Sequence, residues 1–101
     1  FQFKEIKNTA SNSKTRWLSF DGNKQLHLIP RPNAKIKTNK AIHFALSTPH
    51  LNSFVMLLKE LEIPYSNWLD TPNKIHVRKD GIRQVYFQDP DNYWIEVNDD
   101  L

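Results

Sequence analysis

The first third of the chain alternates between apolar and polar residues, as strands with one buried face do. The pattern predicts three strands, over residues 1–6, 16–20 and 24–29. Asp21-Gly22-Asn23 separates the second strand from the third and is typical of a hairpin turn. Pro30 and Pro32 end the third strand, because proline has no N–H to donate to a neighbouring strand.

A helical pattern appears in the second part of the chain. Apolar residues recur at helical spacing from Leu51 to Leu61. We expect Thr48 to cap this helix, Pro49 to occupy its first position and Pro64 to end it. Further strands are predicted over residues 41–46, 74–78, 82–88 and 93–97.

The order of these elements indicates an internal repeat within an α+β fold. Residues 41–101 are predicted to form a complete βαβββ module, residues 33–40 a linker, and residues 1–32 the remainder of a first module, all in one domain. That first module lacks its opening strand and helix, so we expect the natural protein to begin before Phe1. Aligning the two hairpins pairs Phe20 with Phe87 and His27 with Glu96, and makes the second turn two residues longer.

Composition excludes several classes of site. The 101 residues include no cysteine, so any metal must be held by nitrogen and oxygen ligands. The net charge of +3 comes from scattered lysines, the densest group being Lys35, Lys37 and Lys40, which we interpret as solvated. No apolar stretch is long enough to span a bilayer. We therefore expect a cytoplasmic protein without nucleic-acid or membrane partners.

Three side chains with metal-binding groups lie on the polar faces of the predicted strands. His27 lies opposite the leucines of its strand, His43 lies between two small alanines, and Glu96 shares a face with Trp94. A single histidine in a strand is more often a surface residue than a ligand. Two imidazoles and a carboxylate at related positions of two modules, however, suit Zn, Ni, Mn or Fe(II). The sequence therefore predicts a divalent metal site at His27, His43 and Glu96.

Other residues are candidates for binding an organic substrate. Trp94 is predicted to line a substrate cleft because it shares a face with Glu96. Arg83 and Gln84 are predicted to orient an anionic or carbonyl group of the substrate. Trp68 and Tyr86 are predicted to belong to the core. No Ser/His/Asp order and no glycine-rich phosphate loop is present.

Residues 82–97, IRQVYFQDPDNYWIEV, resemble the C-terminal signature of the vicinal oxygen chelate superfamily, which includes glyoxalases, bleomycin-resistance proteins and extradiol dioxygenases. Residues 41–44 and 25–28 are similar to ligand-bearing strands of that superfamily. The resemblance implies paired βαβββ modules that form a cupped, open barrel around a divalent metal. It implies His43 and Glu96 as ligands, His27 at a position often occupied by Glu, and a fourth ligand from the absent opening strand.

The resemblance also implies a function. A metal-dependent lyase or dioxygenase would act on a small oxygenated organic substrate by stabilising an oxyanion, with Glu96 as the candidate catalytic base. Two alternatives stay open: a non-catalytic small-molecule-binding protein of the bleomycin-resistance type, and a thiol transferase of the fosfomycin-resistance type. We expect a homodimer, because the incomplete first module would leave a sheet edge exposed.

Overall fold

The computed structural model describes residues 1–101 as two units, Phe1–Ile36 and Lys37–Leu101. The first unit contains a three-stranded antiparallel sheet in the order β1-β2-β3, formed by Lys4–Ile6, Arg16–Phe20 and Lys24–Leu28. The second unit contains a five-stranded mixed sheet and one helix. The predicted α+β class is confirmed.

The hairpin of the first unit turns where the sequence predicts. Asp21 and Gly22 have φ angles of 47° and 73°. Glycine adopts such positive angles without steric cost, and aspartate tolerates them better than most residues do. The ring of Phe3, the residue before β1, stacks on that of Phe20 on β2, with 4.6 Å between centroids. Turn chemistry and aromatic packing therefore both favour this sheet.

The second unit runs strand, helix and then four strands. Its elements are β4 (His43–Ser47), α1 (Leu51–Glu60), β5 (Tyr65–Ser66), β6 (His76–Val77), β7 (Arg83–Gln88) and β8 (Trp94–Asn98). The sheet has the order β4-β8-β7-β5, and β6 also pairs with β7. β4 runs parallel to β8, whereas the other pairs are antiparallel.

One face of this sheet packs on α1. The helix contributes a buried stripe at helical spacing, and the strands contribute the opposite wall; the cluster comprises Leu51, Val55, Leu58, Tyr65, Val85 and Val97. No helix of the structure is long and apolar enough to span a bilayer. The packing leaves the other face of the sheet for polar side chains.

The helix begins two residues later than predicted, and the expected capping role of Thr48 is wrong. His50 is the N-cap residue, and its carbonyl accepts the N–H of Phe54 at 3.0 Å. The N–H of Thr48 instead donates to the carbonyl of Asn98 at 2.8 Å, which extends the pairing of β4 with β8. Pro49 therefore precedes the helix.

Two strand predictions need correction as well. The structure adds β5 and reduces the predicted strand at 74–78 to the two residues of β6. β4 begins at His43 because the N–H of Ile42 donates to the carbonyl of Asn39 in a turn. Ile42 is 79% exposed and Phe44, on the edge strand, is 41% exposed, so neither is part of the core.

The predicted alignment of the two hairpins is correct for one pair and wrong for the other. Trp17 lies across from His27, and Tyr86 lies across from Glu96, so a single offset in sequence number relates both pairs. The two turns have equal length. Phe20 pairs with Lys24 across the first turn, and the N–H of Asp89 donates to the carbonyl of Tyr93 across the second. Phe20 corresponds to Asp89 rather than to Phe87.

The core predicts a position-dependent cost of truncating apolar side chains on α1. Leu51 is 1% exposed and Met56 is 61% exposed. Leu51→Ala should lower the free energy of unfolding by about 3 kcal/mol, because it removes a buried side chain and leaves a cavity. Met56→Ala, the control, should change it by less than about 0.5 kcal/mol. Urea unfolding measures both; equal losses would contradict this packing.

Candidate functional site

His43 and Glu96 meet on the polar face of the sheet in the second unit. The parallel register pairs His43 with Trp94 and Ala45 with Glu96, so the two side chains are diagonal neighbours. Nε2 of His43 lies 3.1 Å from Oε2 of Glu96. The two side chains are 21% and 10% exposed, respectively. The structure thus brings two of the three predicted ligands together, although 53 positions separate them in the sequence.

The orientation of the His43 ring follows from its other nitrogen. Nδ1 lies 2.7 Å from the backbone carbonyl of Lys40. A carbonyl oxygen only accepts hydrogen bonds, so Nδ1 carries a proton and donates it. In a neutral ring Nε2 then has a free lone pair directed at the carboxylate of Glu96. Either a proton or a cation must lie between these two acceptors.

The Glu96 carboxylate is held by further hydrogen bonds. The amide of Asn98 donates to Oε1 at 2.8 Å, and Ser47 Oγ donates to Asn98 Oδ1 at 3.0 Å. The hydroxyl of Tyr86 forms another hydrogen bond with Glu96. Burying a neutral polar group without a hydrogen bond costs on the order of 2–7 kcal/mol, and burying an unpaired carboxylate costs more. No buried side-chain polar atom in the structure lacks a partner.

Tyr86 contributes a phenol hydroxyl to this network. Burial raises the pKa of its phenol well above the usual value, and the hydrogen bond to the Glu96 carboxylate raises the pKa further. The side-chain amide of Gln84 donates to the hydroxyl oxygen of Tyr86. A phenol that keeps its proton can act as a fixed donor to Glu96 across the physiological pH range.

Aromatic rings and a lysine surround this network. Tyr86 is buried, but it lies on the site face instead of in the cluster under α1. Trp68 is 41% exposed, so its predicted place in the core is wrong; its ring packs edge-on against Tyr86. The ammonium of Lys40 lies 5.0 Å from the ring centroids of both Tyr86 and Trp94.

An open groove of about 420 Å³ adjoins these rings. Its walls are mainly aromatic and proline side chains: Pro64, Tyr65, Pro72, Tyr86, Phe87, Pro90 and Trp94. Small-molecule sites commonly have such apolar walls and volumes of about 300–1,000 Å³. Trp94 lines this groove. Its role in substrate binding stays a prediction from the sequence.

The other predicted site residues have different surroundings. Arg83 lies on the helix-facing side of β7, where its guanidinium bonds to Asp99 at 2.8 Å and Asn52 at 2.9 Å. Gln84 is buried beside Tyr86. Substrate binding by Arg83 and Gln84 stays a prediction.

His27 belongs to the first unit. Its ring is exposed on β3 and stacks on Trp17 with centroids 4.2 Å apart, and its Nε2 contacts Gln25 Oε1 at 3.0 Å. Within the second unit no third His, Asp or Glu side chain joins His43 and Glu96. His27 as a third ligand stays a prediction from the sequence.

Several residues of the network were not singled out from the sequence. Asn98 and Tyr86 follow from strand alternation, since Trp94, Glu96 and Asn98 share one face of β8 and Tyr86 lies across from Glu96. Lys40 gives no comparable signal. It is the last residue of the segment predicted to be a linker, and its hydrogen-bond partners lie more than 25 positions away.

Comparison with solved structures identifies the fold. The chain superposes on a glyoxalase family protein from Bacillus anthracis with a TM-score of 0.72 and 18% identity, over 96% of this chain and 72% of that one. It superposes on the fosfomycin resistance protein FosX from Listeria monocytogenes with a TM-score of 0.71 and 18% identity, over 98% of this chain and 74% of that one. With lactoylglutathione lyase from Agrobacterium tumefaciens the TM-score is 0.65 and the identity 17%, over 97% of this chain and 75% of that one.

The chain shares the fold of these solved structures, which agrees with the resemblance to the vicinal oxygen chelate superfamily. The resemblance seen in residues 82–97 is confirmed at this level. No protein-family model and no curated protein sequence matches the chain. Within this fold, the His43–Glu96 pair lies on the two parallel strands β4 and β8. Asn92, at the turn of that motif, has a φ angle of 68°.

The raised pKa of Tyr86 predicts a stability difference in alkaline solution. The unfolded chain releases this proton near the ordinary tyrosine pKa of about 10, whereas the folded protein keeps it. The free energy of unfolding should therefore fall as pH rises above that value, by about 1.4 kcal/mol per pH unit for this group. Tyr86→Phe should lack this component of the slope. Urea unfolding of both proteins between pH 9 and 11 measures it; identical slopes would contradict the prediction.

Proposed function

We propose that the protein is a divalent-metal-dependent enzyme of the glyoxalase and dioxygenase type that acts on a small oxygenated organic substrate. The observation that supports this proposal is the approach of His43 Nε2 to Glu96 Oε2 at 3.1 Å. The hydrogen bond from Nδ1 to the Lys40 carbonyl directs the Nε2 lone pair to the carboxylate. Two acceptors held in this way form part of a cation site.

The donor set and spacing fit a transition metal. Nitrogen and oxygen ligands lie at about 2.0–2.2 Å from such an ion, so two neighbouring ligands are separated by roughly 3 Å. An imidazole and a carboxylate suit Zn, Ni, Mn or Fe(II). His43 and Glu96 would hold the ion from this unit, and further ligands would complete the site. Such an ion would polarise adjacent oxygen atoms of a substrate.

The surrounding residues have separate roles in this proposal. A Glu96 oxygen would accept a substrate proton, as the sequence-based assignment of Glu96 as a base requires. Tyr86 and Asn98 orient the carboxylate through their hydrogen bonds. Trp94 and the groove beside it would hold the organic part of the substrate. The paired modules in a cupped barrel, the homodimer and the cytoplasmic location stay predictions from the sequence.

Titration with Co²⁺ tests the metal site directly, because its visible absorption reports the ligands. Wild-type protein should bind the ion, and His43→Ala and Glu96→Ala should each weaken binding by at least about tenfold. His50→Ala is the matched control, since His50 is exposed at the start of α1 and should bind as wild type does. Equal and negligible binding in all four proteins would contradict the proposal. His27→Ala in the same titration tests the predicted third ligand separately.

A second candidate function is ligand binding without catalysis. The aromatic groove supports it, because apolar walls around Tyr86 and Trp94 suit an organic ligand whether or not a metal is present. In this alternative the His43–Glu96 pair would be an ion pair with a structural role on the polar face of the sheet.

Tryptophan fluorescence distinguishes the two functions. A panel of small oxygenated organic compounds is titrated with and without EDTA. The enzyme proposal predicts quenching that EDTA weakens at least about tenfold, since the substrate oxygens would bind the ion. The binding-protein alternative predicts quenching that EDTA leaves unchanged. In both cases Trp94→Phe should remove most of the signal, whereas Trp17→Phe, in the first unit, should retain it.

A further inference from the structure

The ammonium group of Lys40 is enclosed, although the sequence predicts a solvated lysine. Its side chain is 12% exposed. The ammonium contacts four oxygens: the Ser66 hydroxyl at 3.2 Å, the Asn67 and Trp68 carbonyls at 2.6 and 3.1 Å, and the Asp70 carboxylate at 2.8 Å. An ammonium has three N–H donors. All three donors therefore have partners on residues 66–70, which are the last residue of β5 and the loop that follows it and are called the 66–70 loop below.

Aromatic rings cover the remaining sides of the ammonium. The centroids of Tyr86 and Trp94 each lie 5.0 Å from Nζ, and that of Trp68 lies 5.7 Å away. Rings within about 6 Å attract a cation through their electron-rich faces, and the attraction grows as water is excluded. Lys40 thus connects the 66–70 loop to β7 and β8.

The backbone of the same residue orients His43. Asn39 fixes the turn around Lys40, because its side-chain oxygen accepts the N–H of Ala41 and its carbonyl accepts the N–H of Ile42, each at 2.8 Å. The Lys40 carbonyl then accepts a hydrogen bond from Nδ1–H of His43, with 2.7 Å between nitrogen and oxygen. One residue therefore bonds to the loop through its side chain and to the histidine through its backbone.

We propose that Lys40 is a positioning residue for the His43–Glu96 pair. Its anchored ammonium holds the turn of residues 39–42 in place, and the carbonyl of that turn keeps the proton on His43 Nδ1 and turns Nε2 towards Glu96. This role concerns the pair itself and holds with or without a bound metal. Only its expected effect on Co²⁺ affinity rests on the proposed function.

The chemistry of the enclosure favours lysine at this position. The surrounding oxygens come from separate residues of one loop and converge on a single point, which suits a compact ammonium with three donors. A planar guanidinium presents its donors as a rigid fork and matches this arrangement less well. We therefore expect Lys40→Arg to restore part of the function that Lys40→Met loses.

Nuclear magnetic resonance of the metal-free protein tests the proposal. Long-range ¹H–¹⁵N spectra locate the proton on the His43 ring, and its exchange with water reports the hydrogen bond to Lys40. Nδ1 should be protonated and protected in wild type. Lys40→Met, which keeps the apolar stem, should speed this exchange by about fivefold or more, as loss of one hydrogen bond implies. Lys37→Met is the matched control, because Lys37 is exposed, and should exchange as wild type does.

Two results would overturn the proposal. One is an unprotonated Nδ1 in folded wild-type protein, which needs no variant and decides the question even if Lys40→Met does not fold. The other is equal exchange in Lys40→Met and Lys37→Met. Co²⁺ titration of the same proteins should show about tenfold weaker binding for Lys40→Met, with Lys40→Arg between it and wild type. If wild type binds no Co²⁺ while the exchange rates differ as expected, the metal proposal fails and the positioning role stands.

Discussion

The candidate site depends on the parallel pairing of β4 with β8. Parallel strands cannot be joined by a tight turn, so the chain must pass through α1 and the intervening strands between them. This pairing brings His43 and Glu96 together from opposite ends of the second unit. Without it, Nε2 of His43 and Oε2 of Glu96 would no longer be partners of each other. The hydrogen bond from Thr48 to Asn98 extends the same ladder and delays the start of the helix.

Successive side chains of β8 alternate between the face of the sheet that packs on α1 and the polar face that carries the candidate site. Val97 points into the cluster under α1, whereas Glu96 and Asn98 point to the polar face. Burial of Val97 in the apolar cluster determines which face of β8 packs on α1. Because successive side chains alternate along a strand, it also determines that Glu96 and Asn98 point to the polar face. The polar side chains then satisfy one another, which makes their burial tolerable. A stable apolar layer is thus the scaffold on which the network of Tyr86 and Glu96 is oriented.

Much of the fold was predictable because it depends on local patterns. The hairpin at Asp21-Gly22, the helix stripe and the two faces of β8 each follow from a period or a turn residue within a few positions. Features that depend on distant partners were missed or misplaced. The short strand β5 and the exposure of Trp68 depend on the neighbours that the sheet supplies, and these are distant in sequence.

The candidate site shows the same division. Alternation and the sequence motif were enough to single out His43 and Glu96, because each lies at a regular position of a strand. Lys40 could not be found in this way, since its role depends on carbonyl groups of Asn67 and Trp68, and every residue has such a group whatever its side chain. The type of a residue therefore does not show whether its backbone carbonyl accepts a hydrogen bond from a distant side chain.

The equal length of the two hairpin turns has a consequence for which side chains such a hairpin can carry. Each hairpin holds an aromatic ring directly across from a titratable side chain: Trp17 faces His27, and Tyr86 faces Glu96. Because the two turns have the same length, the two pairs differ in residue type at both positions and not in backbone register. A hairpin of this form can therefore carry an imidazole or a carboxylate, and an indole or a donor phenol, with its backbone in the same register.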